Sequence, residues 1–301
     1  MLATNVTTEQ ILVIGAGELG GAVITALRRR DADVTVLLRP SRTPRDELTA
    51  LGVEIIEADV AGATVPELAA VLNRFHTVVN CLGFAAGPGT QRRITEAVLA
   101  AGVSRYIPWQ FGVDYDAIGR GSPQNLFDEQ LDVRDMLRAQ NGTDWVIVST
   151  GMFTSFLFEP DVGIVDLTTN TVNALGSWDT AVTVTTPEDI GEITAEILLT
   201  RPRIANEVVF VAGDTITYGE LADVVERVRG VPVTRNEWTV PYLLDELAHH
   251  PDDNLRKYRA VFAQGTGVAW PKAGTFNAVR GIPTTTTEEF ARIHLGREAA
   301  S

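Results

Sequence analysis

Ile11-Leu12-Val13-Ile14 runs directly into Gly15-Ala16-Gly17-Glu18-Leu19-Gly20. Four contiguous aliphatics predict a strand buried on both faces, and the amphipathic stretch from Gly20 to Arg30 predicts the helix after it. A strand, three glycines at G-x-G-x-x-G spacing and a helix open a βαβ unit, which commits the chain to an α/β fold. Gly15 permits the tight turn, Gly17 lets the backbone approach a diphosphate, and Gly20 allows the helix to pack closely on the strand. The N-terminus of the helix after the turn offers free N–H groups and the positive end of a helix dipole to phosphate oxygens. The spacing therefore predicts a dinucleotide on Gly15, Gly17, Glu18, Leu19 and Gly20. A glycine turn kept for packing alone is the alternative.

The alternation continues. Strands are predicted at Val34–Leu38, Val53–Ile56, Thr77–Leu82, Tyr106–Trp109 and Trp145–Ser149, separated by helical patterns. One of those helices is capped by Thr64, Pro66 and Glu67; another, Thr90–Ala101, is stopped by Gly102; a third is predicted to begin at Ser122-Pro123. Strands alternating with helices require right-handed crossovers and a parallel sheet covered on both faces, a doubly wound α/β fold. After residue 150 the rhythm loosens. A helix is predicted over Thr185–Leu199, a strand over Val208–Val211, a helix capped by Thr217 and Glu220, and helical structure over Tyr242–Ala263 interrupted at Pro251. The expected organisation is a Rossmann dinucleotide-binding domain over 1–155, also receiving 180–215. A smaller interleaved α/β lobe over 156–179 and 216–301 would bind the substrate.

Composition narrows the chemistry. The 301 residues carry 25 basic and 39 acidic side chains, a formal charge of −14. So acidic a chain has no basic surface with which to release counterions from DNA or RNA, so no nucleic-acid partner is expected. No apolar run reaches the ~18 residues of a membrane span, and the polar start shows no secretory pattern, so a cytoplasmic protein is expected. A single cysteine, Cys81, rules out an internal disulfide. Four histidines without metal-ligand spacing give no reason to assign a metal. Only Lys257 and Lys272 are lysines, and arginine stays protonated in ordinary sites, so lysine-dependent proton chemistry is excluded from the first 256 residues.

The ends of the strands hold the remaining candidates. An acid after the second strand would accept from a ribose 2′-hydroxyl and mark NAD. This chain has Arg39, with Arg42 three residues on, and a guanidinium suits a 2′-phosphate, which favours NADP(H). Solvated surface charge is the other reading of both arginines. Cys81, Leu82, Gly83 and Phe84 leave the fourth strand at the carboxyl edge of the sheet, where a cofactor's ribose and diphosphate lie. As a nucleophile Cys81 has no neighbouring histidine, and inert packing accounts better for its thiol. The fifth strand runs into Trp109-Gln110-Phe111, two aromatics and a carboxamide able to flank a flat nicotinamide or an aromatic substrate. Gln110 is assigned to the cofactor, Trp109 and Phe111 to the substrate.

These features together resemble the NmrA-like, isoflavone-reductase-like branch of the atypical short-chain dehydrogenases. The resemblance rests on the Gly15–Gly20 turn, Leu37-Leu38-Arg39, the block Ile107-Pro108-Trp109-Gln110-Phe111-Gly112-Val113-Asp114, and Thr150-Gly151-Met152-Phe153. Pro187–Gly191, Phe276-Asn277 and Gly281-Ile282-Pro283 complete it. It implies NADPH-dependent reduction of small, often aromatic metabolites in the enzyme members. Other members bind the dinucleotide without turnover, as redox-sensing regulators. The resemblance also implies that Trp178, beside Asp179, lies at the substrate mouth, and Phe153, Trp109 and Phe84 are expected to wall the apolar pocket.

The chain departs from the enzymes at one place. The reductases carry an acid–base lysine on the helix after strand five, and the matching residue here is Gln130. Nor is there a Tyr-x-x-x-Lys pair at Tyr106 or Tyr115. Leu126, Gln130, Val133 and Leu137 are spaced as one helical face, which turns Gln130 inward. A carboxamide can donate to a substrate oxygen but cannot ionise near neutrality. Gln130 and Tyr115 are the catalytic candidates, against the alternatives of a buried backbone partner and simple packing. The expected function is NADPH-dependent reduction of a small aromatic carbonyl or activated alkene, by a monomer or homodimer. A non-catalytic NADP(H)-binding regulator is the alternative.

Overall fold

The computed structural model describes residues 9–40 and 46–295. β1 (Ile11–Ile14) leads to α1 (Glu18–Arg28), then β2 (Val34–Leu38), α2 (Asp46–Ala50), β3 (Glu54–Glu57), α3 (Val65–Leu72) and β4 (Thr77–Asn80). α4 (Thr90–Ala100), β5 (Arg105–Ile107), the single turn α5 (Tyr115–Ile118), α6 (Leu126–Arg138) and β6 (Asp144–Ser149) follow. Next come β7 (Met152–Phe153), β8 (Val165–Asp166), β9 (Thr171–Leu175), β10 (Ala181–Thr185), α7 (Pro187–Leu199) and β11 (Glu207–Phe210). β12 (Asp214–Thr217), α8 (Tyr218–Arg229), β13 (Thr234–Trp238), α9 (Val240–His249), α10 (Asn254–Phe262), α11 (Phe276–Val279) and α12 (Thr287–Leu295) complete the described chain.

Two compact units form. The first takes the chain up to Gln110, Asp132–Ile147 and Ile190–Val208. Its sheet has seven strands in the order β11-β6-β5-β4-β1-β2-β3, with β1 through β6 paired in parallel, so the doubly wound fold expected from the alternation is present. β1 lies between β2 and β4, with Ile11 level with both Val34 and Thr77. The strand order therefore reverses between β1 and β4, and the loops leaving those two strands flank the crevice where open α/β sheets take ligands. Leu12, Ile14 and Val78 of the sheet pack with Ile94 and Val98 of α4 and Val133 and Leu137 of α6 in one buried cluster. Each such side chain contributes about 1.5–3 kcal/mol.

Arg105 opens β5 fully buried. Its guanidinium donates to the carbonyl oxygens of Leu198 (2.7 Å), Ile197 (3.2 Å) and Ile204 (3.0 Å), closing the carboxyl end of α7 and the turn after it. Those helix-end carbonyls have no partner within the helix, and a cation is the group that suits them best. Burial pushes the Arg105 pKa down to about 10, so it stays charged at neutral pH.

The second unit comprises Phe111–Leu131, Val148–Asp189 and the chain from Val209 onward. It holds two three-stranded sheets, β12-β10-β7 and β13-β9-β8. The Thr217–Glu220 pair forms a reciprocal capping box at the start of α8, as does Thr64–Glu67 at α3 in the first unit.

Several element boundaries differ from expectation: α1 runs Glu18–Arg28 rather than Gly20–Arg30, because Gly17 already stands at its N-cap. β4 ends at Asn80 rather than Leu82, because the Asn80 side chain takes the Leu82 N–H. β5 ends before Pro108, which has no N–H to give the ladder. α6 begins at Leu126, not at Ser122-Pro123, because the Gln124 carboxamide oxygen accepts from the Leu126 N–H and so fixes the first turn.

Candidate active site

β1 delivers the chain into the glycine turn. Gly15 has φ of +89°, a conformation that side chains of L-residues rarely adopt, so glycine is needed there. A β-carbon on Gly20 would sit 2.9 Å from the carbonyl carbon of Gly15 and 3.3 Å from the Cys81 Cβ, so helix and strand approach too closely for any other residue. Gly17 differs from both. It has an ordinary φ of −72° as the N-cap of α1, and nothing lies within 4 Å of where its β-carbon would be. The turn is thus closed below and open above, over the first N–H groups of α1 at Glu18 and Leu19. That shape and polarity fit a dinucleotide diphosphate.

Beyond β2, the strand beside β1, Arg39 is exposed at the carboxyl edge of the sheet. Arg42 lies outside the described residues. Beyond β4, Cys81 is buried and burial pushes its thiol pKa up, so the thiol stays protonated and inert. The Leu82 side chain comes 3.1 Å from the Cβ position of Gly15. Gly83 faces the Trp109 ring, which would be 3.1 Å from a β-carbon there, and Phe84 begins a half-buried 3-10 turn. Asn80 and Gln91 hold this loop from beneath: Asn80 Oδ1 accepts from the Leu82 N–H at 3.0 Å, and Gln91 Nε2 donates to the Leu82 carbonyl at 2.8 Å.

Gln110, after β5, is fully buried, and its Oε1 accepts from Nε of Arg134 at 2.8 Å. Arg134 is itself fully buried on α6. A guanidinium and a carboxamide so joined fix each other's orientation.

The remaining candidates belong to the second unit. Phe111 is buried, and Gly112 pairs with Ser149 while its carbonyl accepts from Thr150 and Gly151. Tyr115 is buried edge-on against Phe127 with centroids 4.9 Å apart, and its hydroxyl lies 2.7 Å from where a Gly112 β-carbon would be. Phe127 in turn meets Tyr258 of α10 at 5.7 Å. Burial, and secondarily Tyr115, push the Tyr258 pKa up. Gln130 is fully buried on α6 with Val133 and Leu137, the inward orientation that the spacing predicts, while Leu126 is half-buried. Phe153 is half-buried at β7, 5.8 Å from Phe156. Trp178 is half-buried beneath the Arg235 guanidinium, 5.8 Å from its ring centroid.

Sequence reasoning placed Asn80 at the carboxyl edge of the sheet without giving it a role, and passed over Gln91 and Arg134. The available signal was a polar residue interrupting an apolar strand or a helix's buried stripe. Among the described residues no group of three or more His, Cys, Asp or Glu side chains could hold a metal ion, and no helix is long and apolar enough to cross a membrane.

The model of the NmrA-like family matches residues 7–279. The chain belongs to the NmrA-like family. This NmrA-like protein is 46% identical to an NmrA-like family domain-containing oxidoreductase of Gibberella moniliformis, over 95% of this chain and 98% of that protein. It is 24% identical to the isoflavone reductase homolog P3 of Arabidopsis thaliana, over 85% and 87% of the two chains. Its fold matches the structure of the binary complex of leucoanthocyanidin reductase and NADPH from Vitis vinifera, with a TM-score of 0.77, covering 95% of this chain and 99% of that one at 19% identity.

Proposed function

We propose that this NmrA-like protein is an NADPH-dependent oxidoreductase that reduces a small, aromatic carbonyl compound or activated alkene. The observation that carries the reading is the glycine turn, closed below at Gly15 and Gly20 and open over Gly17, with Arg39 where an NAD-binding chain would have an acid. The leucoanthocyanidin reductase complexed with NADPH and the oxidoreductase relative support it.

NADPH, when bound, supplies the hydride. The chain's own part is to hold the reactants and polarise the acceptor. Gly15, Gly17 and Gly20 shape the diphosphate site, the first N–H groups of α1 at Glu18 and Leu19 donate to its oxygens, and Arg39 pairs with the 2′-phosphate. Cys81, Leu82, Gly83, Phe84 and Gln110 complete the cofactor's surroundings. Trp109, Phe111, Phe153 and Trp178 supply apolar surface for a flat substrate. Gln130 donates an amide N–H to the acceptor oxygen and stabilises charge developing there, an interaction worth roughly 2.7–4 kcal/mol in a water-poor site. The proton is delivered by water or by Tyr115, since a carboxamide cannot release one.

The replacement of the family's lysine by Gln130 favours one competing reading, an NADP(H)-binding redox sensor without turnover. Mixing the protein with NADPH and a panel of aromatic ketones, aldehydes and enones separates the two. An oxidoreductase depletes the reduced-nicotinamide absorbance with at least one of them, and a sensor binds NADPH and leaves it intact.

A further inference from the structure

The loop after β4 is gripped by a closed ring of hydrogen bonds. The Leu82 N–H donates to Asn80 Oδ1 at 3.0 Å, Asn80 Nδ2 donates to Gln91 Oε1 at 2.9 Å, and Gln91 Nε2 donates to the Leu82 carbonyl at 2.8 Å. The backbone N–H and C=O of Leu82 have fixed polarity, so both carboxamides are locked in one orientation. Neither can be flipped without setting two donors or two acceptors against each other. Asn80 is fully buried and Gln91 nearly so. A second layer holds the first. The Thr95 hydroxyl donates to the backbone carbonyl of Gln91 at 2.8 Å and lies 3.4 Å from the Tyr106 hydroxyl.

Two buried carboxamides are an expensive way to shape a loop that apolar packing could hold. What they secure is position. Leu82 is held at both its backbone groups, with its side chain against Gly15, and Gly83 is set against the Trp109 ring. We propose that Asn80 and Gln91 are positioning residues for the dinucleotide: their ring holds Leu82 and Gly83 as the second wall of the cradle opened by the glycine turn. This rests on the reading that the turn binds NADP(H). The ring bears on the diphosphate and the neighbouring ribose, which NADP and NAD share, and not on the 2′-phosphate.

The test is calorimetric titration of the purified full chain with NADP+ and, separately, NAD+. Two variants break the ring. Gln91→Met keeps the volume and removes both the donor to Leu82 and the acceptor for Asn80. Asn80→Asp keeps the acceptor for Leu82 and loses the donor to Gln91 whenever the carboxyl is ionised. Both are expected to melt as cooperative folded proteins and to bind NADP+ and NAD+ more weakly by the same factor, about tenfold for one lost positioning contact. Asn80→Asp adds a pH signature. A protonated carboxyl can donate to Gln91 and close the ring, so this variant's affinity should be near native in mild acid and fall as pH rises through the carboxyl's elevated pKa. Cys81, next in the chain, and Tyr106 on the adjoining β5 are kept neutral by burial over that range. If Asn80→Asp does not fold, Gln91→Met decides alone. Folded variants with native affinity at every pH would overturn the proposal, as would a loss confined to NADP+. An unmodified protein that binds neither dinucleotide would overturn the cofactor reading itself.

Discussion

A β-carbon on Gly20 would collide with the carbonyl oxygen of Gly15, whereas one on Gly17 would meet nothing within 4 Å. The same turn therefore contains a glycine demanded by the fold and a glycine the fold does not need. Gly20→Ala should destabilise the protein by about 1–3 kcal/mol, as overpacking does, measured by denaturant unfolding. Gly17→Val should unfold at nearly the native denaturant concentration yet lose dinucleotide binding, because its branches fill the diphosphate's approach. Undiminished NADPH affinity in folded Gly17→Val would remove the phosphate cradle from the account.

On the proposed reading, Arg39 sets the cofactor preference. One charge-assisted contact to the 2′-phosphate is worth about 1.5–3 kcal/mol, so NADPH should bind more tightly than NADH by roughly the corresponding ten- to hundredfold. Arg39→Asp should shrink or reverse that ratio. Equal affinities in the unmodified protein would contradict the assignment.

Gln130→Ala should lower turnover by about a hundredfold to a thousandfold, the effect of removing one donor to a developing oxyanion, and leave NADPH affinity nearly unchanged. Gln130→Lys, which supplies the lysine that the resemblance to the reductases implies at this position, should retain activity. Steady-state kinetics on the best substrate, with NADPH affinity measured separately, check both. Normal turnover in Gln130→Ala would return this residue to packing.

Three buried phenols are expected to set the alkaline limit of the fold. Burial raises Tyr106 to about 12 and pushes Tyr218 and Tyr258 up as well. A phenol whose folded pKa exceeds its unfolded value near 10 contributes stability that is fully present below pH ~10 and lost as pH rises through the folded value. For Tyr106 alone the shift corresponds to about 3 kcal/mol. Unfolding followed by circular dichroism should set in above pH ~10 and coincide with tyrosinate absorbance from these side chains. Their ionisation well before the loss of structure would contradict the burial argument.

The pattern of aliphatic runs was enough to find β1 and β2 to the residue: both are buried along almost their whole length, and Thr35 is the one polar side chain in them. Where side chains end a strand, the run misleads: Asn80 and Pro108 stop β4 and β5 ahead of apolar residues that continue the pattern. The glycine turn was legible in full, since spacing alone distinguishes its three positions. Arg105, Arg134 and the Asn80–Gln91 ring were not. A single sequence assigns arginine and glutamine to the surface, and only tertiary pairing with helix-end carbonyls or another carboxamide makes their burial affordable. The inward turn of Gln130 was legible from helical spacing, whereas the burial of Tyr115 edge-on against Phe127 was not, since a loop tyrosine gives no sign of the ring it will meet.

Hydride transfer is the central claim, and isotope transfer tests it most directly. The protein would be incubated with NADPH deuterated at its transferable position and with the aromatic ketones, aldehydes and enones of the panel, and products analysed by mass spectrometry. The account predicts a reduced product carrying one deuterium from a single face of the nicotinamide. Tight NADPH binding with no deuterium in any product would contradict it and leave the protein a dinucleotide sensor.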